Sequence, residues 1–285
     1  MKFLDPKNDI MFKKIFGNQQ KPSIVMSFLN AILQLPEGEK IEEVFFRDPQ
    51  NVPDNLEQKK STIDVQCRDQ KHREFIIEMQ SDYQSFFGER SLYYSAKAVG
   101  RALKKKGLYQ SLMPVIFVGV LDFTLFDKNE EPDCISEHRI LNIKTLKNRI
   151  DKLKFVFIEL PKFKKTIDQL ETVSEKWIYF LQNAEDCTQV PQELKTTKEI
   201  EEAFKLLNEG SMTTDELQEY EVILDARRCE ESEKYDAFVE GEARGKAEGE
   251  AKAKLELAKR LLAKKMSIDE IAELTGLSVE AIRKL

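Results

Sequence analysis

The sequence is poor in the residues and segments that mark several protein classes. Its four cysteines stand at least 42 positions apart, which excludes a CxxC metal or redox motif and a compact disulfide framework. The two histidines are isolated and form no pair with metal-ligand spacing. The longest apolar run, residues 114–126, contains Asp122 and is too short to span a bilayer.

Two catalytic signatures are also absent. No GxSxG segment occurs and no cysteine stands in an activating context, which argues against a nucleophilic serine or cysteine enzyme. No GxxxxGK[ST] phosphate-binding loop occurs, so ATP-driven action is not expected. The first nine residues contain two acids and no apolar core, unlike a secretory signal. We therefore expect a cytoplasmic protein without membrane contact.

Charged residues are abundant but unevenly distributed. They make up 34% of the chain, against roughly 25% in an average globular protein, and the net charge is −6. Residues 193–250 hold 18 acidic and 8 basic residues, whereas 251–285 hold 5 acidic and 8 basic residues. The excess of acid belongs to one segment, and the apolar-rich part of the chain is close to neutral. The net charge therefore does not exclude a polyanionic partner.

Hydrophobic periodicity predicts an α/β domain over residues 1–165. Some stretches have the spacing of an amphipathic helix, some alternate like half-exposed strands, and some are continuous β-branched and aromatic runs typical of strands covered on both faces. Strands separated by helices are typical of the α/β class. The predicted elements are helix 23–34, strand 44–46, hairpin strands 62–68 and 73–80 joined by a four-residue turn, helix 89–106, strand 114–121, a helix-like segment, and strand 155–160.

The remainder of the chain is predicted to be helical. Residues 166–250 form an acidic helical extension and linker. Residues 251–285 form a helix-turn-helix-like tail, in which Ser267 and Glu270 fit a capping box and Gly276 fits the turn. Such a tail either reads DNA or is a small packing or oligomerisation module. The second alternative includes a homo-oligomer formed through the helical C-terminal region.

The predicted hairpin brings two carboxylates together. Period-2 alternation puts Asp64 on one strand and Glu78 and Gln80 on the next, on one side of the sheet if the register pairs them. Neighbouring acids repel each other and lose solvation, and a hard divalent cation removes both penalties. Such an ion also promotes phosphodiester hydrolysis. Spacing alone leaves open a second interpretation, in which the acids face solvent on a half-exposed sheet.

Several motifs resemble those of one nuclease family. Asp64, followed after 13 residues by Glu78-Met79-Gln80, is similar to the PD-(D/E)XK nuclease core. The opening segment DIMFKKIFG, residues 9–17, resembles the D-x-x-F-K-x-x-F-G start of the Rpn-type recombination-promoting nucleases, also called PD-(D/E)XK nuclease family transposases. Later segments that resemble this family are Arg90 and Tyr94 with their helix, residues 107–116, and residues 158–163, so that the resemblance covers about residues 5–165.

This resemblance implies a restriction-endonuclease-like core, metal-dependent cleavage of DNA, and a link to DNA recombination or mobile-element biology. Asp64 and Glu78 would bind Mg²⁺, with Mn²⁺ as a substitute, and Gln80 would complete the catalytic set. Gln80 stands where the superfamily has lysine, and Ile63 where it has proline. Because an amide carries no charge, Gln80 is expected to orient the attacking water by hydrogen bonding. The alternative is a catalytically weak nuclease-fold protein that serves as a nucleic-acid or protein-binding module.

Two further sets of residues are candidates with open alternatives. Asp9 is either a third acid of the site or the cap of a helix that begins near Ile10. Basic residues on related turns of the helix after the hairpin either contact DNA phosphates or form a solvated face. This basic set is Arg90, Lys97, Arg101 and Lys104.

Glu159 follows a strand that is predicted to be buried, and it is expected to be structural.

Overall fold

The chain folds into two compact units, Met1–Leu217 and Gln218–Leu285. The computed structural model describes residues 2–47, 63–102, 109 and 112–285. Within these residues, every helix is too short or too polar to cross a membrane. These units divide the chain after residue 217, whereas the sequence predicted boundaries at residues 165 and 250. The predicted division stays a prediction.

A mixed six-stranded sheet organises the first unit in the described part of the chain. Its strands are β1 (Val44–Phe46), β2 (Val65–Asp69), β3 (Glu74–Gln80), β4 (Val115–Leu121), β5 (Ile135–Arg139) and β6 (Leu153–Glu159). They pair in the order β1-β2-β3-β4-β6-β5. The central strands β3, β4 and β6 are parallel, and β1, β2 and β5 are antiparallel to their neighbours. This architecture confirms the predicted α/β class.

The helices of the first unit include three that the sequence assigned to the extension over residues 166–250. The helices are α1 (Asp9–Phe16), α2 (Pro22–Leu33), α3 (Phe87–Ala102), α4 (Val173–Asn183), α5 (Gln192–Lys195) and α6 (Lys198–Leu207). The ring of Trp177 in α4 lies 5.7 Å from that of Phe16 and 5.8 Å from that of Phe28, between centroids. Phe204 in α6 lies 5.0 Å from Phe3. Helices α4 and α6 therefore complete the core around α1 and α2.

All five predicted strands are confirmed, and the prediction for one intervening segment fails. All seven residues of β4 are buried, as its continuous apolar run predicts. The helix-like segment predicted between β4 and β6 is wrong, because Ile135–Arg139 is a strand that pairs antiparallel with β6. This edge strand has the pattern Ile-Ser-Glu-His-Arg, with few apolar residues, and its residues are only partly buried or exposed. A polar edge strand gives little periodic signal in a sequence.

The β2–β3 hairpin is confirmed, and its turn is built around the buried residue Asp69. The Asp69 carboxylate accepts hydrogen bonds from the backbone N–H groups of Lys71, at 3.0 Å, and Arg73, at 2.8 Å. It also accepts a bond of 2.6 Å from Nε of Arg73. His72 adopts the left-handed conformation with φ of 62°. β2 begins at Val65, so that Asp64 lies in a bend before the strand.

The second unit contains most of a long helix and two short ones. Helix α7 spans Thr214–Ala263, α8 Ile268–Thr275 and α9 Val279–Arg283. Ser267 and Glu270 form the predicted capping box, and Gly276 ends α8 with φ of +68°. A small core joins the three helices through Ala258, Ile271 and Ile282. The assignment of this tail as a helix-turn-helix motif stays a prediction.

Candidate functional site

Asp64 and Glu78 lie together at the carboxyl-terminal end of β3. The register pairs Val65 with Ile77, and its continuation by one position sets Asp64 opposite Glu78. Oδ2 of Asp64 accepts a hydrogen bond of 2.9 Å from the backbone N–H of Met79. This bond holds the Asp64 side chain against the strand that carries Glu78. The two acids are therefore neighbours, as the alternation predicts, while their catalytic roles stay predictions.

Glu78 is buried with one carboxylate oxygen unsatisfied. The residue is 2% exposed. Its Oε2 accepts a hydrogen bond of 2.9 Å from Arg90, whereas its Oε1 has no partner among the residues that the structure describes. Burial, followed by the charge of Asp64, raises the pKa of Glu78 to about 7, and Arg90 opposes this shift. The solvent-facing interpretation is wrong for Glu78, because the face of β3 that carries it is covered.

Arg90 lies inside the site, although the sequence made it a candidate for phosphate contact. Nη2 of Arg90 bonds to Glu78, and Nη1 donates a hydrogen bond of 2.8 Å to Oε1 of Gln84. The guanidinium also lies over the ring of Phe87, 5.1 Å from its centroid. A guanidinium held by a carboxylate, an amide and an aromatic ring has little freedom. Arg90 therefore acts in this structure as the counter-ion of Glu78.

A glycine lets α3 approach the sheet beside Glu78. Gly119 of β4 pairs with Glu78 in the parallel ladder. A Cβ atom at Gly119 would lie 3.0 Å from Phe87, 3.1 Å from Phe157 and 3.2 Å from Phe117. A methyl group there would require these rings to move by a few tenths of an ångström, since ordinary contacts between carbon atoms begin near about 3.5 Å. Gly119 thereby permits the close packing of Phe87, on the helix that also carries Arg90.

Asp64 is also buried and is paired with a lysine from α1. Oδ1 of Asp64 lies 3.2 Å from Nζ of Lys13. Burial raises the pKa of Asp64 above its usual value; the Met79 N–H and Lys13 oppose this rise, and the charge of Asp9 adds to it. Both carboxyls of the site therefore have raised pKa values, mainly because burial disfavours their charged forms.

Asp9 and Gln80 lie beside this pair in different ways. Asp9 is the first residue of α1, and the cap of that helix is Asn8, whose side chain accepts the N–H of Ile10. The interpretation of Asp9 as the cap is therefore wrong. Its charge acts on Asp64, so that its role as a third acid stays a prediction. Gln80 is the partly buried last residue of β3.

Two of the other basic candidates, Lys97 and Arg101, lie on α3. Nζ of Lys97 lies 5.8 Å from the centroid of the Tyr93 ring. Arg101 interacts with Glu74, at the opposite end of β3 from Glu78. Lys104 lies outside the described residues. Phosphate contact by these residues stays a prediction.

Glu74 and Glu159 are buried like Glu78 but are fully paired. Oε1 of Glu74 accepts a hydrogen bond from Gln66, and Oε2 forms ion pairs with Arg47 at 3.0 Å and Arg68 at 3.3 Å. Oε1 of Glu159 accepts the N–H groups of residues 125 and 126, at 2.6 and 3.1 Å, and Oε2 lies 2.6 Å from Nζ of Lys162. These contacts agree with the structural role expected for Glu159.

The residues present fit a divalent cation with few protein ligands. The described residues contain no group of three or more histidine, cysteine or acidic side chains that could hold a metal ion. Mg²⁺ does not require such a group, because it usually binds one or two carboxylates and takes its other ligands from water and phosphate. The unpartnered Oε1 of Glu78 beside the carboxylate of Asp64 is an oxygen-only donor set of this kind. Both acids would hold the ion.

Comparison with protein families agrees with the resemblance in the motifs. The model of the PD-(D/E)XK nuclease family transposases matches residues 6–237. The chain belongs to this family. The mixed sheet is consistent with a PD-(D/E)XK-like fold, and membership indicates a nuclease or transposase-related role in a superfamily that usually uses divalent metals. The match continues past residue 165, in agreement with the packing of α4 and α6 in the core. No curated protein and no solved structure gives a match.

Two features of the candidate site were missed from the sequence. Lys13 falls within the matched opening segment, but its contact with Asp64 depends on how α1 packs, which local periodicity does not report. The pairing of Arg90 with Glu78 depends on α3 crossing back over β3. A signal for Lys13 was present, since Lys13 stands at the lysine position of the motif D-x-x-F-K-x-x-F-G that the segment DIMFKKIFG resembles.

Proposed function

We propose that the chain is a metal-dependent DNA endonuclease that hydrolyses phosphodiester bonds. The observation that carries this proposal is the buried, unpartnered Oε1 of Glu78 beside Asp64, at the positions of the family's acidic motif. Mg²⁺ is the proposed cofactor and Mn²⁺ its substitute. Asp64 and Glu78 would hold the ion, which when bound polarises a phosphoryl oxygen and lowers the pKa of a water.

The side chains of the site supply orientation. The hydrogen bond from Met79 N–H holds Asp64, and the bond from Arg90 holds one oxygen of Glu78, so that both carboxylates are fixed before a ligand arrives. Gln80, two residues beyond Glu78 on the same strand, would accept a hydrogen bond from the attacking water and direct its oxygen. Fixed groups of this kind favour in-line attack because little reorganisation is needed.

Plasmid cleavage with matched variants tests this proposal. We expect wild-type protein to nick supercoiled DNA with Mg²⁺ or Mn²⁺, and Asp64→Asn and Glu78→Gln to lose about 10³-fold or more in rate. Calorimetry should show weaker Mn²⁺ binding by both variants. Glu130→Gln, at an exposed position, is the control and should match wild type. Wild-type rates of nicking by Asp64→Asn and Glu78→Gln would refute the proposal.

The wider role proposed is in DNA recombination or mobile-element biology, with the tail as a helix-turn-helix-like module. Arg283 and Lys284 are exposed at the end of the chain, which supports contact with DNA, whereas Ile282 is committed to the small core. The double variant Arg283→Glu/Lys284→Glu in the full chain should weaken DNA binding and reduce its salt dependence. Unchanged affinity and salt slope would leave the tail as a packing or oligomerisation module.

A further inference from the structure

The site lacks a positive charge at the position where the superfamily places its lysine. Gln80 stands there, and its amide is neutral. In phosphodiester hydrolysis, negative charge builds up on the phosphoryl oxygens, and a fixed cation close to them is a large source of rate enhancement. Among the described residues, the cations in contact with the acid pair are Arg90 and Lys13.

Arg90 is poorly suited to receive a phosphate. It is bonded to Glu78 at 2.9 Å and to Gln84 at 2.8 Å, and its guanidinium is stacked near the Phe87 ring. Movement of Arg90 toward a substrate would leave the buried Glu78 carboxylate without its counter-ion. An uncompensated charge is unfavourable in a buried environment, so this movement is opposed.

Lys13 is better placed, because it is both close to the acids and accessible. Its Nζ lies 3.2 Å from Oδ1 of Asp64, and its side chain is 41% exposed. An ammonium has three donors, and this contact engages one of them. A lysine at the mouth of the site can therefore keep its contact with Asp64 and still present donors to a ligand.

The orientation of α1 brings Lys13, and not Lys14, into contact with Asp64. The buried face of the helix is formed by Met11, Phe12, Ile15 and Phe16. Successive residues of a helix point about 100° apart, as follows from 3.6 residues per turn. Lys14 accordingly has a different partner, with its Nζ 2.8 Å from Oε1 of Glu216. The chain thus provides two adjacent lysines of which one faces the acid pair.

We propose that Lys13 is a catalytic residue that contacts a non-bridging oxygen of the scissile phosphate, in place of the missing lysine at position 80. This inference rests on the proposed nuclease function. Hydrolysis forms one P–O bond from water and breaks the P–O bond to the leaving sugar oxygen; water releases a proton to solvent, and the leaving oxygen takes one from solvent. Lys13 stays protonated throughout and acts by its charge.

The ion pair also predicts that the charge of Lys13 weakens the binding of a divalent cation at Asp64. Lys13 is a counter-ion of that carboxylate, so its removal leaves more negative charge for a metal to bind. A lysine with a merely structural role, which held Asp64 in position, would show the opposite behaviour. Loss of that lysine would weaken metal binding. Metal affinity, measured without DNA, therefore separates the two roles.

The test compares wild type with Lys13→Met, Lys13→Arg, Lys14→Met and Asp64→Asn, each as the full chain. We expect Lys13→Met to lower the single-turnover cleavage rate at saturating DNA by about 10²-fold or more, with a smaller effect on DNA affinity. Mn²⁺ binding by calorimetry should be unchanged or tighter in Lys13→Met and lost in Asp64→Asn. Lys13→Arg should retain part of the rate, and Lys14→Met should match wild type.

Rescue gives a second measure of the role of the charge. The double variant Lys13→Met/Gln80→Lys returns a cation to the site from β3, and it should cleave at least about tenfold faster than Lys13→Met. Wild-type cleavage by Lys13→Met, or loss of Mn²⁺ binding in it, would overturn the inference while the nuclease function stands. Failure of both Lys13→Arg and the double variant to exceed the Lys13→Met rate would do the same. Absence of cleavage by wild type would overturn the proposed function and this inference together.

Discussion

Glu78 and Glu159 are both buried, on β3 and β6 of one sheet, and differ in how their oxygens are satisfied. Both oxygens of Glu159 have donors, including the buried Lys162. One oxygen of Glu78 has none among the described residues, and the pKa of Glu78 is raised to about 7, first by burial. Burial is common to both glutamates, so burial alone does not single out Glu78. The unmet acceptor distinguishes Glu78.

The largest expected effect is a difference in stability between two isosteric substitutions. Glu159→Gln leaves the buried Lys162 without a counter-ion, and breaking such a pair costs about 3–5 kcal/mol. Glu78→Gln affects the partly exposed Arg90, which keeps its bond to Gln84, so we expect less than about 1 kcal/mol. Urea unfolding at pH 7 measures both changes. Equal losses of stability would remove the distinction between the two glutamates.

The second expected effect concerns the pH dependence of stability. The pKa of Glu78 in the folded protein, about 7, is above its ordinary value of 4.5, so the native state binds this proton more tightly than the unfolded state does. The contribution of Glu78 to stability is then greatest below about pH 4.5 and is lost as the pH rises to about 7, by about 3 kcal/mol in total. Metal-free wild type should lose this increment between pH 5 and pH 8 relative to Glu78→Gln. Parallel pH profiles of the two proteins would contradict it.

A third effect concerns Gln80, which should matter for rate and little for folding. Gln80→Ala removes the side chain proposed to orient the attacking water, and loss of such an orienting group typically lowers activity by about 10–100-fold. Single-turnover cleavage measures the change, and thermal unfolding shows whether the fold is kept. Gln19→Ala, at an exposed position, is the control. A wild-type rate for Gln80→Ala would remove Gln80 from the catalytic set.

The smallest effect concerns the packing that brings α3 beside Glu78. Gly119→Ala puts a methyl group against Phe87, Phe117 and Phe157, and overpacking of this kind costs about 1–2 kcal/mol. Gly100→Ala is the matched control on α3, where an added Cβ meets nothing within 4 Å. That change should stabilise the helix by up to about 1 kcal/mol. Equal effects in urea unfolding would show that the aromatic packing tolerates a methyl group.

Much of the sheet could be predicted because its strands carry strong local patterns. The continuous run of β4 and the alternating hairpin gave correct elements, and the same alternation placed Asp64 near Glu78. Edge strand β5 is polar and gave no such signal. Contacts between distant segments also escaped prediction, as for Trp177 with Phe16, since local periodicity describes which face is apolar but not what covers it.

The site could be predicted in part for the same reason. Spacing along two neighbouring strands predicted that the two acids are neighbours, and the family resemblance made them candidate metal ligands, whereas their counter-ions come from other elements. Lys13 reaches Asp64 from α1, and Arg90 reaches Glu78 from α3. The pairing of each cation with its carboxylate follows from helix packing, which no motif of three residues encodes.

The turn at Asp69 has a consequence for residues at the far end of the hairpin. Its carboxylate fixes how the two strands leave the turn, through the backbone of Lys71 and Arg73. A slip of the strands by one position would carry a side chain to the opposite face of the sheet. Asp69 and Asp64 are five positions apart along the chain, which is about 17 Å in an extended strand. The alignment of Asp64 with Glu78 is thus set by a turn that contacts neither of them.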